Sequence, residues 1–315
     1  AHPSAQGSPK GNERGRNICR YPTRMRIDGT HYDAFPDTIR PNLLLGRVAM
    51  QNHYVDAHLH LQDPRLQIDK VLSRARNAGL SMLFCNAIKE EDWPVIANLA
   101  AAHQEVVAFF GIHPWFSDTA AAGWQQRLLT IAKTLDKASG IGETGLDRSC
   151  PIDVSIQQRL FAEHLELAAE LSWALSVHSV RAWGAVVDIL ADFSRHSTLP
   201  PILIHSFNGS TEIMKRLTKL GCYLSYSEAL AGGAQTKLRE TFVQTPTSLL
   251  LLETDAPYAK NPDQKKKHRD AINEPADVAD LYHCAARLLQ VETAHLSDQI
   301  HRNAQVFTNS NAAGK

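Results

Sequence analysis

The sequence predicts an α/β protein, a TIM-type (β/α)8 barrel of regular or distorted form, and three observations carry that reading. Eight short apolar runs recur about 20 to 35 residues apart from Tyr54 onward. Stretches with a one-sided helical apolar stripe lie between them. No linker-like composition interrupts residues 54–307. Strand–helix units repeated at this length build a parallel sheet, and eight of them can close into a barrel.

The strands are expected at residues 54–58, 81–86, 106–111, 139–143, 174–178, 201–205, 222–226 and 249–255. Most are apolar without alternation, as strands covered on both faces should be. Ile68, Val71, Leu72 and Ala75 form one helical stripe, which Gly79 can end in a left-handed C′ position. Ile213, Leu217 and Leu220 form a second, with Ser210 placed to cap it and Gly221 to stop it. Val278, Leu281, Tyr282, Ala285, Leu288 and Leu289 make the longest stripe, and residues 308–315 read as a frayed tail.

At 315 residues the chain can bury a full core. No apolar run approaches the roughly 20 residues a membrane-spanning helix needs. The formal net charge is zero, so any binding to nucleic acid must rest on a local basic surface. Cys19, Cys85, Cys150, Cys222 and Cys284 are odd in number and far apart, which fits reduced thiols in a cytoplasmic protein.

Residues 1–50 differ from the rest. Within residues 1–26, Lys10, Arg14, Arg16, Arg20, Arg24 and Arg26 face only Glu13 in a Gly-, Pro- and Ser-rich stretch, and residues 1–50 read as a basic disordered extension before a hydrolase barrel at 51–315. Met50, just before the first strand, is an expected natural start. A second basic run, residues 265–269, follows the last strand and could track a phosphate backbone or be a solvated loop.

Six metal-ligating side chains fall in order at the expected strand ends. They are His58 and His60 in Asp56-Ala57-His58-Leu59-His60, Glu143 in Gly142-Glu143-Thr144-Gly145-Leu146-Asp147, then His178, His205 and Asp255. A lone strand histidine is more often a core or surface residue, and His164 and His301 are read that way. Six such groups on the C-terminal rim of one barrel, where βα barrels carry their chemistry, are a metal-site pattern. Imidazole with carboxylate suits divalent transition metals, and one carboxylate can bridge two ions. Asp56 is expected to orient a histidine or the barrel interior, and Asp147 to serve a turn or support a ligand. Trp115 and Phe116 could stack on a base or cover the barrel mouth.

These motifs, with Gly111-Ile112-His113-Pro114, His205-Ser206-Phe207-Asn208-Gly209-Ser210, Leu252-Glu253-Thr254-Asp255-Ala256-Pro257-Tyr258, Asn273-Glu274-Pro275, Asn303 and Phe307, make the chain resemble the TatD family of metal-dependent deoxyribonucleases over residues 54–307. The resemblance implies two divalent ions (Mg, Mn or Zn). His58, His60, Glu143 and Asp255 would hold one, and Glu143 would bridge to a second held by His178 and His205. It further implies a two-metal hydrolase with hydroxide as the attacking group, a 3′-5′ exonuclease type of activity, and DNA or RNA as substrate. Asp255 and Glu143 would be catalytic, and His113 and Arg181 would contact substrate. The family commonly has arginine two residues beyond the strand-5 histidine, where this chain has Val180 and then Arg181. Two alternatives stay open: the same site acting on an amide or an ester such as an aminoacyl-tRNA linkage, and a non-catalytic nucleic-acid-binding barrel.

Overall fold

The computed structural model describes residues 53–135, 140–232, 235–258 and 272–309. The basic N-terminal segment, the expected start at Met50 and the basic run at 265–269 lie outside them. Eight parallel strands follow one another in chain order: β1 Tyr54–Leu59, β2 Leu80–Asn86, β3 Val106–Phe110, β4 Gly140–Asp147, β5 Leu175–Val180, β6 Ile202–Ile204, β7 Tyr223–Tyr226 and β8 Leu250–Leu252. The exit of β8 returns to β1 through the pairing of Leu59 with Ala256, and the His60 amide donates to the Ala256 carbonyl at 2.8 Å. The barrel closes there.

Among the described residues the helices are α1 Ile68–Asn77, α2 Trp93–Ala102, α3 Trp124–Ala132, α4 Val154–Leu171, α5 Trp183–Phe193, α6 Thr211–Lys219, α7 Thr236–Gln244, α8 Val278–Leu289 and α9 Thr293–Asn309. The first and third stripes are buried at Val71, Leu72 and Ala75 in α1 and at Leu281, Tyr282 and Ala285 in α8, whereas in α6 Leu217 is buried with Met214, and Ile213 and Leu220 of the expected stripe are only partly buried. The Ser210 hydroxyl accepts from the Ile213 amide at 3.3 Å, as its N-cap position requires. Gly79 and Gly221 take φ of +89° and +80° just after α1 and α6, so the chain turns back toward the next strand. No described helix is long and apolar enough to cross a membrane.

Most strand boundaries shift by one or two residues from expectation, and three depart in ways that matter to the site or the tail. The fourth strand runs on to Asp147, so Glu143 sits within it. Its turn-like glycines stay in the sheet because Gly145 takes φ +134° where a Cβ would lie 2.1 Å from the His178 carbonyl oxygen. The last strand stops at Leu252, three residues before Asp255. The tail reading fails at Thr308, which is buried in α9 with its hydroxyl donating to the Ala304 carbonyl at 2.8 Å. Helix α9 is pinned instead of frayed: Asn303 donates to the carbonyls of Thr247 and Leu250, both at 2.8 Å, at the start of β8. Phe307 packs on Phe84, Phe109 and Tyr223. A fully buried Phe contributes about 1.5–3 kcal/mol, so this helix holds the end of the barrel opposite the site.

Candidate metal centre

At the C-terminal rim the six expected ligands converge. Glu143 stands at the centre, 2% exposed, and its two oxygens face different ways. Oε2 lies 3.2 Å from His58 Nε2 and 3.6 Å from His60 Nε2. Oε1 lies 2.8 Å from both His178 Nδ1 and His205 Nε2. Asp255 Oδ1 lies 3.4 Å from His60 Nε2, on the Oε2 side. His113 Nε2 reaches Oε1 at 3.5 Å from a third direction.

The strands deliver these groups by local geometry. His58 belongs to β1 and His60 follows it two residues on, so both rings point the same way. His178 lies within β5, and His205 directly follows β6. Beyond β8, Asp255 adopts φ +53°, and its amide donates to the His58 carbonyl at 2.9 Å. That left-handed residue swings the carboxylate back toward the rim, at a cost of order 1 kcal/mol for a non-glycine. Asp56 ties the same corner together, accepting from the Thr254 amide at 2.9 Å and the Thr254 hydroxyl at 2.6 Å.

The outer nitrogen of each histidine settles what its inner nitrogen offers. His60 Nδ1 faces the Asn86 carbonyl oxygen at 2.9 Å, and a carbonyl can only accept, so Nδ1 carries the hydrogen. His178 Nε2 faces Asp147 Oδ2 at 3.2 Å, with the same consequence, and His205 Nδ1 lies 3.5 Å from Glu253 Oε1 without a hydrogen bond. His58 Nδ1 meets the Ser176 hydroxyl at 3.2 Å, which can accept from it. Inner lone pairs therefore point at carboxylate oxygens. Two acceptors at 2.8 Å need a cation between them or an added proton. The buried Nε2 of His58 has no hydrogen-bond partner at all. This donor set fits a divalent-metal centre, and imidazole backed by carboxylate or carbonyl is how proteins orient such ligands.

The electrostatics agree. Burial would raise the Glu143 carboxyl, but the surrounding imidazoles, His205 foremost, hold it well below the usual carboxylate range. Burial would lower His205, yet the Glu143 charge raises it well above its ordinary value. His113 differs. Its Nδ1 accepts from the Trp115 amide at 3.1 Å, so the ring hydrogen sits on Nε2, and burial pushes its pKa down to about 3. A neutral ring with Nε2–H turned inward is a hydrogen-bond donor, not a ligand.

The cavity above the cluster is lined by His60, Ile88, His113, Trp115, Phe116, Glu143, His178, His205, Asp255 and Tyr258. Arg181 is exposed just after β5, with φ +53°, and is not among these residues. Trp115 is 57% exposed at the mouth, while Phe116 is half-buried. Sequence reasoning missed Asn86, Ser176 and Glu253 as histidine partners. The signal was available for Ser176, which lies two residues before His178 in β5 and so shares its strand face.

Residues 55–309 match the family model described as TatD related DNase. A 3′-5′ ssDNA/RNA exonuclease TatD from Pantoea ananatis is 28% identical over 240 residues, covering 75% of this chain and 91% of the relative. An uncharacterized metal-dependent hydrolase, YjjV, from Escherichia coli K12 is 30% identical over 212 residues, covering 65% and 79%. The crystal structure of YjjV superposes with a TM-score of 0.72 at 24% identity over 81% of this chain and 98% of that one, a likeness of fold. With the family model spanning nearly all the described residues, the chain belongs to the TatD-related DNase family.

Proposed function

We propose that the protein is a two-metal phosphodiesterase that removes nucleotides from a single-stranded DNA or RNA end. The observation that carries this reading is the division of Glu143, one oxygen toward His58 and His60 and the other toward His178 and His205. His58, His60 and Asp255 with Oε2 would hold one divalent ion, and His178 and His205 with Oε1 the second. Two such ions supply an activated water at neutral pH and offset the charge that builds on the phosphate oxygens.

The chain's own groups divide the remaining work. The Asp255 side chain is 19% exposed where that of Glu143 is 3%, so Asp255 is the carboxylate that can reach an attacking water and take its proton. The Asp255 amide, bonded to the His58 carbonyl at 2.9 Å, fixes the place of that carboxylate beside His60. His113 presents Nε2–H to the cavity and can donate to a non-bridging phosphate oxygen. Ile88, Phe116 and the rings of Trp115 and Tyr258 limit access of bulk water and offer faces for a base. The names of the relatives as ssDNA/RNA exonucleases support the substrate class, and nothing in the cavity favours an aminoacyl ester over a phosphodiester.

The test is a 5′-labelled single-stranded oligonucleotide incubated with Mg²⁺, Mn²⁺ or Zn²⁺, with and without chelator. Metal-dependent shortening from the 3′ end is expected. Intact oligonucleotide, DNA and RNA alike, in all three metals would overturn the reading, and cleavage of aminoacyl-tRNA or a small amide instead would replace it.

A further inference from the structure

Trp115 stands apart from the other tryptophans of the barrel. Trp93 and Trp124 are 3% exposed, whereas Trp115 leaves 57% of its surface in water at the cavity mouth. Its two N–H groups are nonetheless both engaged. The indole Nε1 donates to Asp147 Oδ2 at 2.7 Å, the same oxygen that receives His178 Nε2 at 3.2 Å. The other Asp147 oxygen is held by the Ser149 amide at 2.7 Å and hydroxyl at 2.6 Å. The Trp115 amide donates to His113 Nδ1, and the two rings meet edge to face with centroids 5.5 Å apart.

One residue of the turn Pro114–Phe116 thus reaches two groups of the site, one through its backbone and one through its side chain. Across the mouth, Tyr258 is 45% exposed and packs edge-on to His60 at 5.4 Å. Its outer surface is already taken by the Arg65 guanidinium, 4.6 Å above the ring. Trp115 therefore offers the larger open aromatic surface. A base inside a duplex has both faces covered by neighbours, so only an unpaired or terminal base can lie against an indole.

We propose that Trp115 is a specificity and positioning residue: its ring stacks on the unpaired terminal base, and its N–H holds Asp147 on His178. The stacking half rests on the nucleic-acid reading above; the positioning half does not. The same side chain then sets which ends enter and how firmly the His178 ring is presented to the ion it binds. A stacked base restricts the indole, and the restricted indole fixes Asp147.

Trp115→Phe keeps an aromatic face and deletes the N–H; Trp115→Ala deletes both. Calorimetric Mn²⁺ titration of the metal-stripped proteins should show affinity weakened about fivefold in both variants, because partners behind a ligand histidine set metal affinity. Affinity for a labelled single-stranded oligonucleotide, read by anisotropy, should stay within about twofold in Trp115→Phe and fall about tenfold in Trp115→Ala. On cleavage, kcat should fall in both and KM rise only in Trp115→Ala. Parental Mn²⁺ affinity in Trp115→Phe overturns the positioning role, and parental oligonucleotide affinity in Trp115→Ala overturns the stacking role. A parent protein that binds Mn²⁺ and the oligonucleotide but cleaves nothing would defeat the phosphodiesterase reading alone, since both binding comparisons still decide the role of Trp115.

Discussion

The rim and the wall of the barrel bury histidine in opposite ways. In the wall, His164 of α4 is fully buried, stacks on Trp124 with centroids 4.1 Å apart, and has both nitrogens satisfied. Its Nδ1 donates to the Leu160 carbonyl at 2.7 Å and its Nε2 accepts from the Ile112 amide at 3.3 Å. At the rim, His60 and His178 have hydrogen-bonded outer nitrogens, His205 has only Glu253 Oε1 at 3.5 Å behind it, and each turns its inner nitrogen toward an anionic oxygen. Burial alone does not mark a metal ligand. The direction of the unshared pair does.

The rim is itself uneven. His178 and His205 are backed by the carboxylates Asp147 and Glu253, and Glu253 is held by the Ser225 hydroxyl. His58 and His60 are backed only by the Ser176 hydroxyl and the Asn86 carbonyl. Negative charge behind an imidazole makes it a better donor, so the half built from β5 and β6 should hold its ion more tightly than the half built from β1.

The largest expected effect breaks the rim as a whole. Glu143→Ala removes the oxygen each half shares, and kcat on single-stranded DNA should fall by at least about a thousandfold, about 4 kcal/mol of transition-state stabilisation. Circular dichroism should show the barrel retained.

The wall makes the next prediction, with its sign set by linkage. Burial lowers the His164 pKa from 6.5 to about 4, so between those values the unfolded chain binds a proton that the folded chain does not. Stability is then full above about pH 6.5 and is lost as pH falls toward 4. Against His164→Gln, which lacks this titration, the parent should lose about 2–3 kcal/mol between pH 8 and pH 4.5. Urea unfolding in chelator, so that no metal contributes, measures the difference; equal losses in both proteins would mean that His164 is protonated in the fold.

Two smaller effects separate the halves of the rim. Asp147→Asn should weaken the tighter Mn²⁺ site about 10-fold or more in a calorimetric titration. Ser176→Ala removes a neutral partner and should weaken the other site by only about 1 kcal/mol, roughly fivefold. Equal losses would erase the distinction between charged and neutral backing.

Much of this was legible in the sequence, for identifiable reasons. The eight strands announced themselves because a strand covered on both faces needs an unbroken apolar run, and the ligands because each ends or interrupts such a run. Boundaries near β4 were not legible, since glycine and threonine in 142–145 read as a turn until the close approach of β5 at Gly145 explains them. Asn86 was hidden as a histidine partner because it acts through its carbonyl, which no side-chain pattern encodes. Arg181 was expected at the substrate on sequence position alone; it is exposed just after β5 with φ +53° and does not line the cavity.

The most direct test of the central claim is the stoichiometry of divalent metal in the stripped protein, titrated alongside Glu143→Ala. Two Mn²⁺ ions per chain are expected, of unequal affinity, with both weakened together in the variant. A single ion, or two ions bound by Glu143→Ala with parental affinity, would contradict a centre bridged by Glu143.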